Sequence, residues 1–188
     1  MTGQDHTNDP QEFESREQVL EALGQTRDLS GADLSGLDLS GMQLFAVAMP
    51  GANLRATDLS GSLLAGIDAS GADLSDANLA GARIYAANLE GAVLRGSQLP
   101  AATIKAANLW QADLSGADLT ASRIADSNLA GSTLRQAKFV SARVARTSLK
   151  EADLVTAGEI QPVVAERVPL LEARRAHKMF ERRGYPAR

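Results

Sequence analysis

Residues 72–91 read ADLSDANLAGARIYAANLEG, four pentads in which an apolar residue stands third each time: Leu74, Leu79, Ile84 and Leu89. Two places before each of them sits alanine, at Ala72, Ala77, Ala82 and Ala87. The step of five persists in both directions. From Leu29 to Leu154 it runs for 26 consecutive positions without an insertion: 19 are Leu, and the others are Met49, Ala69, Ile84, Ile104, Ile124, Phe139 and Val144. The residue two before is Ala 14 times, Ser five times and Thr twice, leaving Arg27, Leu37, Met42, Val47 and Ile67 outside that set.

Five fits neither common element. In an α-helix five residues turn by about 500°, a net rotation of roughly 140°, which scatters the leucines around the cylinder. In a strand an odd step sends successive leucines to opposite faces. All of them can be buried together if each pentad forms one short side and the chain then corners by about a right angle. Four sides close a square coil of 20 residues, so 26 pentads give about 6.5 coils, and stacking at about 4.8 Å makes a rod roughly 30 Å long. The frequent glycine two after the inward residue (Gly31, Gly36, Gly41, Gly51, Gly61, Gly71, Gly81 and Gly91) suits a corner with positive φ. Where the central residue shrinks to Ala69, its neighbour Ile67 grows, as a filled core requires.

The segments ADLSG (32–36), ANLRA (52–56), ADLSD (72–76), ANLEG (87–91), ADLSG (112–116) and ADLTA (117–121) resemble the A(D/N)LXX signature of pentapeptide-repeat proteins. That resemblance implies an all-β fold, a right-handed quadrilateral parallel β-helix.

A solenoid exposes its core at both ends and needs caps. Ser15 with Gln18 spells a capping box, Val19, Leu20 and Leu23 supply an apolar face and Gly24 supplies a stop, predicting a helix over 15–23. Beyond Thr156 the repeat ends, and LLEARRAHKMFERRG predicts a second helix over about 170–183. Leu171, Met179 and Phe180 there either cap the last coil or meet a second copy, as C-terminal segments do in topoisomerase-protecting members of the family. The expected organisation is a polar tail and capping helix (1–26), the β-helix (27–156) and a helical capping or dimerisation segment (157–188).

Each side of the coil can be read by taking every twentieth residue. The side through Leu34 alternates Asp33, Asp73, Asp113 and Asp153 with Arg55, Arg95 and Arg135, a charge ladder that keeps a rod soluble. The side through Leu44 differs from the other three. Where they place mostly Asp or Asn before the buried residue, it places Gln43, Leu63, Arg83, Thr103, Arg123 and Arg143, with Phe45, Tyr85 and Lys105 after it. Aromatic and arginine side chains free of acids are the composition of a contact surface; the alternative is that such residues simply suit a flat, sheet-like side. Trp110, on the neighbouring side, is a further anchor candidate.

Charge is unevenly spread. Residues 27–91 carry eight acids and three bases, residues 92–156 five acids and eight bases. Residues 1–26 carry six acids and one base, residues 157–188 four acids and seven bases.

Chemistry is sparse. With no cysteine and only His6 and His177, there is neither a disulfide nor a metal-ligand cluster, and no histidine to activate any serine. No phosphate-binding glycine loop occurs. The expectation is therefore a non-enzymatic protein without cofactor, small-molecule substrate or membrane segment, acting as a scaffold or adaptor for a protein partner. The N-terminal stretch MTGQDHTNDPQEFESREQ has no apolar run, so a cytoplasmic location is expected. The family resemblance implies two other roles. One is a DNA mimic that binds a type II topoisomerase. The other, from the entry sequence REQVLEALGQTRDLSGADLSGLDLSGM, is an adaptor of the kind attached to type VI secretion accessory proteins. Nucleic acid is the less expected partner, because the basic tail carries few excess bases.

Overall fold

A computed structural model describes residues 10–154. It contains one helix, α1 (Arg16–Gln25), and six three-residue strands: β1 (Gln43–Phe45), β2 (Leu63–Ala65), β3 (Arg83–Tyr85), β4 (Thr103–Lys105), β5 (Arg123–Ala125) and β6 (Arg143–Ala145). The strands form one parallel sheet in chain order. Its register steps by 20 residues, pairing Leu44 with Leu64, Leu64 with Ile84 and so on to Val144. The other three sides are ladders of single bridges with the same step, such as Asp28 with Ala48, Asp33 with Asn53 and Asp38 with Asp58. The molecule is the right-handed quadrilateral β-helix that the resemblance implies, with the four-sided coil that the five-residue step demands.

Every inward residue from Leu29 to Phe139 is buried, and so is nearly every small residue two before it. The axis is almost solid. A void of about 10 Å³ lies between Leu44, Met49, Leu64, Ile67, Ala69 and their neighbours, about the least that can hold one water.

The corners explain the rest of the pentad. Two residues after each inward one, φ is positive at every position from Gly31 to Glu151, whether the residue is Gly or not. Gly51 shows what that costs: its φ is +65° and a Cβ there would meet nothing within 4 Å, so any penalty is backbone strain alone. Gly51→Val is expected to lower stability by about 1 to 3 kcal/mol, because a β-branched residue is strained at positive φ. Thermal unfolding checks this, and an unchanged midpoint would contradict the corner geometry.

On three sides the corner is closed locally. Ala32 N–H donates to the Leu29 carbonyl (3.1 Å), Leu37 to Leu34 (3.3 Å) and Met42 to Leu39 (3.3 Å). The residue just after the inward one then lacks a ladder partner for its N–H. The side chain before the inward residue supplies one: Asp58 accepts from Ser60 N–H (2.8 Å), Asp118 from Thr120 N–H (2.9 Å) and Asn88 from Glu90 N–H (3.3 Å). These Asx turns are why Asp and Asn fill that position. Stacked coils also link the side chains, as Asn78 Nδ2 donates to Asp58 (3.2 Å) and Asn88 Nδ2 to Asp68 (3.0 Å).

The side of β1–β6 is built differently. Among the described residues the local closing bond is not made after Leu44, Leu64, Ile84, Ile104 or Ile124. Strand pairing extends instead one residue further, joining Phe45 to Ala65 and Tyr85 to Lys105, so the backbone satisfies itself and no Asx acceptor is needed.

The N-terminal cap differs in detail from the sequence reading. Ser15 is the N-cap, its Oγ accepting from Gln18 N–H (3.3 Å), while Gln18 Oε1 accepts from Glu14 N–H (2.7 Å). Gly24 does not stop the helix: it lies inside the last turn, and the end comes at Thr26, whose N–H bonds the Ala22 carbonyl. Val19 is fully buried and Leu23 packs on the core, but Leu20 points to solvent and is half exposed. Unforeseen from the sequence, residues Gln11 to Phe13 add a rung beside Asp33, with Phe13 N–H on the Asp33 carbonyl (3.1 Å) and Asp33 N–H on the Gln11 carbonyl (2.8 Å). This covers one edge of the first coil. Arg27 covers another, its guanidinium donating to the Phe45 carbonyl at the rim of β1. The helix expected over about 170–183, with Leu171, Met179 and Phe180, lies outside the described residues.

Candidate interaction face

The sheet of β1–β6 brings Phe45, Arg83, Tyr85, Lys105, Arg123 and Arg143 onto one flat side. Along the rod they fall into two columns. Before the inward residues run Gln43, Leu63, Arg83, Thr103, Arg123 and Arg143; after them run Phe45, Ala65, Tyr85, Lys105, Ala125 and Ala145. Adjacent rungs of a parallel sheet stand about 4.8 Å apart, so Arg123 and Arg143 are one rung apart and Arg83 lies about 10 Å from Arg123. Phe45 keeps 43% of its surface exposed; Tyr85, read from the sequence as an exposed aromatic, is half-buried between its neighbours. Trp110 sits round the corner on the next side, half exposed, with its indole near Gly131.

The charges separate this face from its neighbours. On the Leu34 side each arginine has its acid: Arg55 bonds Asp73 (3.2 Å), Arg95 bonds Asp113 (2.5 Å) and Arg135 bonds Asp153 (2.6 Å). Each spans 18 residues, joining consecutive coils as the alternation of Asp and Arg required. These exposed pairs contribute little stability individually. On the sheet face Arg83, Arg123 and Arg143 are exposed, and among the described residues none makes an ion pair or a side-chain hydrogen bond. The carboxyl of Asp126 is held low first by its bonds to Arg146 (2.5 and 3.0 Å), with Lys105 adding a smaller pull in the same direction.

At its β1 end the face runs into a groove of about 350 Å³ between α1 and the first coil, lined by Arg16, Leu20, Leu23, Arg27, Met42, Gln43 and Val47. One wall is apolar. The other carries two guanidiniums, each already donating once to a backbone carbonyl, Arg16 to Ser40 (2.6 Å) and Arg27 to Phe45. The groove escaped the sequence reading because it depends on how the cap sits, which no periodicity encodes.

Among the described residues no cluster of His, Cys, Asp or Glu could hold a metal ion, and no helix is long and apolar enough to cross a membrane.

Comparison with curated proteins returns no match. Several solved structures are similar. HetL, a pentapeptide repeat protein involved in heterocyst differentiation regulation from the cyanobacterium Nostoc sp. strain PCC 7120, is 28% identical over 76% of this chain and 83% of its own, with a TM-score of 0.40. Rfr23 from Cyanothece 51142 is 20% identical over 80% and 100%, with a TM-score of 0.39. The plasmid-mediated fluoroquinolone resistance protein QnrB1 is 19% identical over 86% of both chains, also at 0.39. The family model for pentapeptide repeats matches in eight copies, over residues 28–61, 52–86, 82–120 and 97–136. Those matches cover residues 28–136 of the solenoid whose corners and ladders are described above, and the chain belongs to the pentapeptide-repeat family.

Proposed function

We propose that the chain is a non-catalytic scaffold that binds a protein partner through the β1–β6 face. The observation that carries this is the contrast in arginine pairing: Arg55, Arg95 and Arg135 are neutralised within the molecule, whereas Arg83, Arg123 and Arg143 are left free beside Phe45 and Tyr85. The lack of Asp and Asn on that side has a backbone cause, since strand pairing replaces the Asx turn. The choice of arginine has none. A side needing only β-forming residues would be satisfied by Thr or Val.

The charge distribution favours this reading over a DNA mimic. Mimicry calls for a continuous set of free carboxylates in the place of phosphates. Here Asp73 and Asp113 are tied to arginines, and the solenoid as a whole carries 13 acids against 11 bases over residues 27–156.

The test is co-purification from a native extract with three tagged forms: the parent, the face variant R83E/R123E/R143E, and the ladder variant R95A/R135A. A protein held by the parent and the ladder variant but reduced at least about tenfold in the face variant is expected, the size of effect that a few interface anchors carry. A partner retained equally by the face variant removes this side from the reading.

A further inference from the structure

The sheet face also specifies what kind of partner it takes. Resting on the reading above, we infer that the occupant is an acidic amphipathic α-helix lying along the rod axis, its carboxylates over Arg143, Arg123 and Arg83 and its apolar end in the groove beneath α1.

Three observations converge on that form. First, the face is positive and unpaired: the column of arginines needs carboxylates, and no residue of the described molecule supplies them. Second, the backbone of β1–β6 is already hydrogen-bonded from strand to strand, so the middle of the face offers side chains and cannot accept an added strand. A partner must therefore satisfy its own backbone, as a helix does. Third, the spacings agree. One rung is about 4.8 Å, close to the rise of about 4.5 Å over three helical residues, and the three rungs from Arg143 to Arg83 span about 14 Å, or roughly ten residues. Acidic residues at i, i+3 and i+10 fall on one side of a helix and would meet the three guanidiniums in turn.

The other column receives the apolar part. Ala65, Ala125 and Ala145 are small, and Phe45 and Tyr85 stand two rungs apart with Ala65 between them. That leaves a recess about one side chain wide, given the rung spacing of about 4.8 Å. Two rungs beyond Arg83 the face reaches Gln43 and the groove, where Leu20, Leu23, Met42 and Val47 form the apolar wall. Leu20 is thereby given a reason to be on the outside of a capping helix, where the sequence pattern put it inside.

The experiment uses the full chain and a fluorescein-labelled, alanine-based helical probe of about 20 residues, with Glu at i, i+3 and i+10 and Leu at i+14 and i+17. Saturable binding by fluorescence anisotropy is expected, weakening steeply with salt. Binding should fall at least tenfold in R83E/R123E/R143E and stay within about twofold in the ladder variant R95A/R135A, a contrast expected when charge pairs at the interface set the affinity. A probe with Lys in place of each Glu should bind the face variant and not the parent. Far-UV dichroism of each variant confirms that the coil is intact, since all substituted side chains are exposed. The inference is overturned by any of three results: no saturable binding, equal binding of a sequence-scrambled probe, or displacement of the probe by a short duplex DNA that binds the same arginines more tightly. If co-purification through the face succeeds while the probe fails, the partner class is wrong and the scaffold reading stands. If both fail, the scaffold reading falls as well.

Discussion

Ile67→Ala is expected to lower the unfolding free energy by about 2 to 5 kcal/mol, and Ala69→Leu by about 1 to 3 kcal/mol. Combining the two is expected to cost less than Ile67→Ala alone. Ile67 and Ala69 are both buried and both border the axial void of about 10 Å³. Removing the isoleucine's outer carbons opens a cavity that the surrounding coils, bonded to one another at every corner, cannot close. Adding a leucine at 69 asks for more room than that void offers, so side chains or backbone must shift. Together the changes recreate the arrangement already present one pentad later, where Ala72 precedes Leu74 and both are buried. The coupling, favourable to the double variant, must then exceed the cost of Ala69→Leu alone, which puts it between about 1 and 3 kcal/mol. Thermal or denaturant unfolding of the four proteins gives it directly. Additive losses would mean that the two positions do not share one volume, and the account of how this coil fills its axis would be wrong.

That pair also shows why so much of the fold was legible in the sequence. A repeat with a fixed step fixes the environment of every position, so Ile67 beside Ala69 stands out among the 26 pentads. The charge ladder was legible for the same reason: Asp and Arg alternate with a period that only consecutive coils can bring together. The sheet face was visible as a lack of Asp and Asn, but its cause was not. That cause is a hydrogen-bonding choice at the corner, made by the backbone and invisible to side-chain counting. The cap was least legible. Residues Gln11 to Phe13 join the first coil through a single rung, Gly24 sits within α1, and Leu20 faces out, because a one-off junction has no period to read. Arg27, one of the residues breaking the small-residue rule, turned out to reach the rim of β1. A large polar residue at a position otherwise reserved for small ones was the signal available there.

The molecule is expected to lose stability steeply as the pH falls below about 4, the ordinary range of aspartate. Eight aspartates lie below that range with a Ser or Thr two residues on. For Asp28, Asp38, Asp58, Asp68 and Asp118 the leading cause is the hydroxyl of that residue; for Asp33 it is the Ser35 N–H, the Ser35 hydroxyl coming next. At Asp73 and Asp113 burial pulls upward, but the bonds from Ser75 or Ser115 and from Arg55 or Arg95 outweigh it. A folded pKa below the unfolded one means that the folded state holds fewer protons over that interval. The contribution is complete above the unfolded value and disappears as the pH drops through the folded values, so acid must destabilise. The same turns are made by neutral asparagine at Asn53, Asn78, Asn88, Asn108 and Asn128. Replacing Asp38, Asp58, Asp68 and Asp118 by Asn should therefore keep the corners while removing four titrating groups, flattening the pH dependence without unfolding the coil. Melting followed by circular dichroism between about pH 6 and pH 2.5 measures both slopes, the window being set by the ordinary aspartate range. A melting temperature that holds steady or climbs into acid would show that the carboxylates are not bound at the corners. An Asn variant as acid-sensitive as the parent would place the effect elsewhere in the molecule.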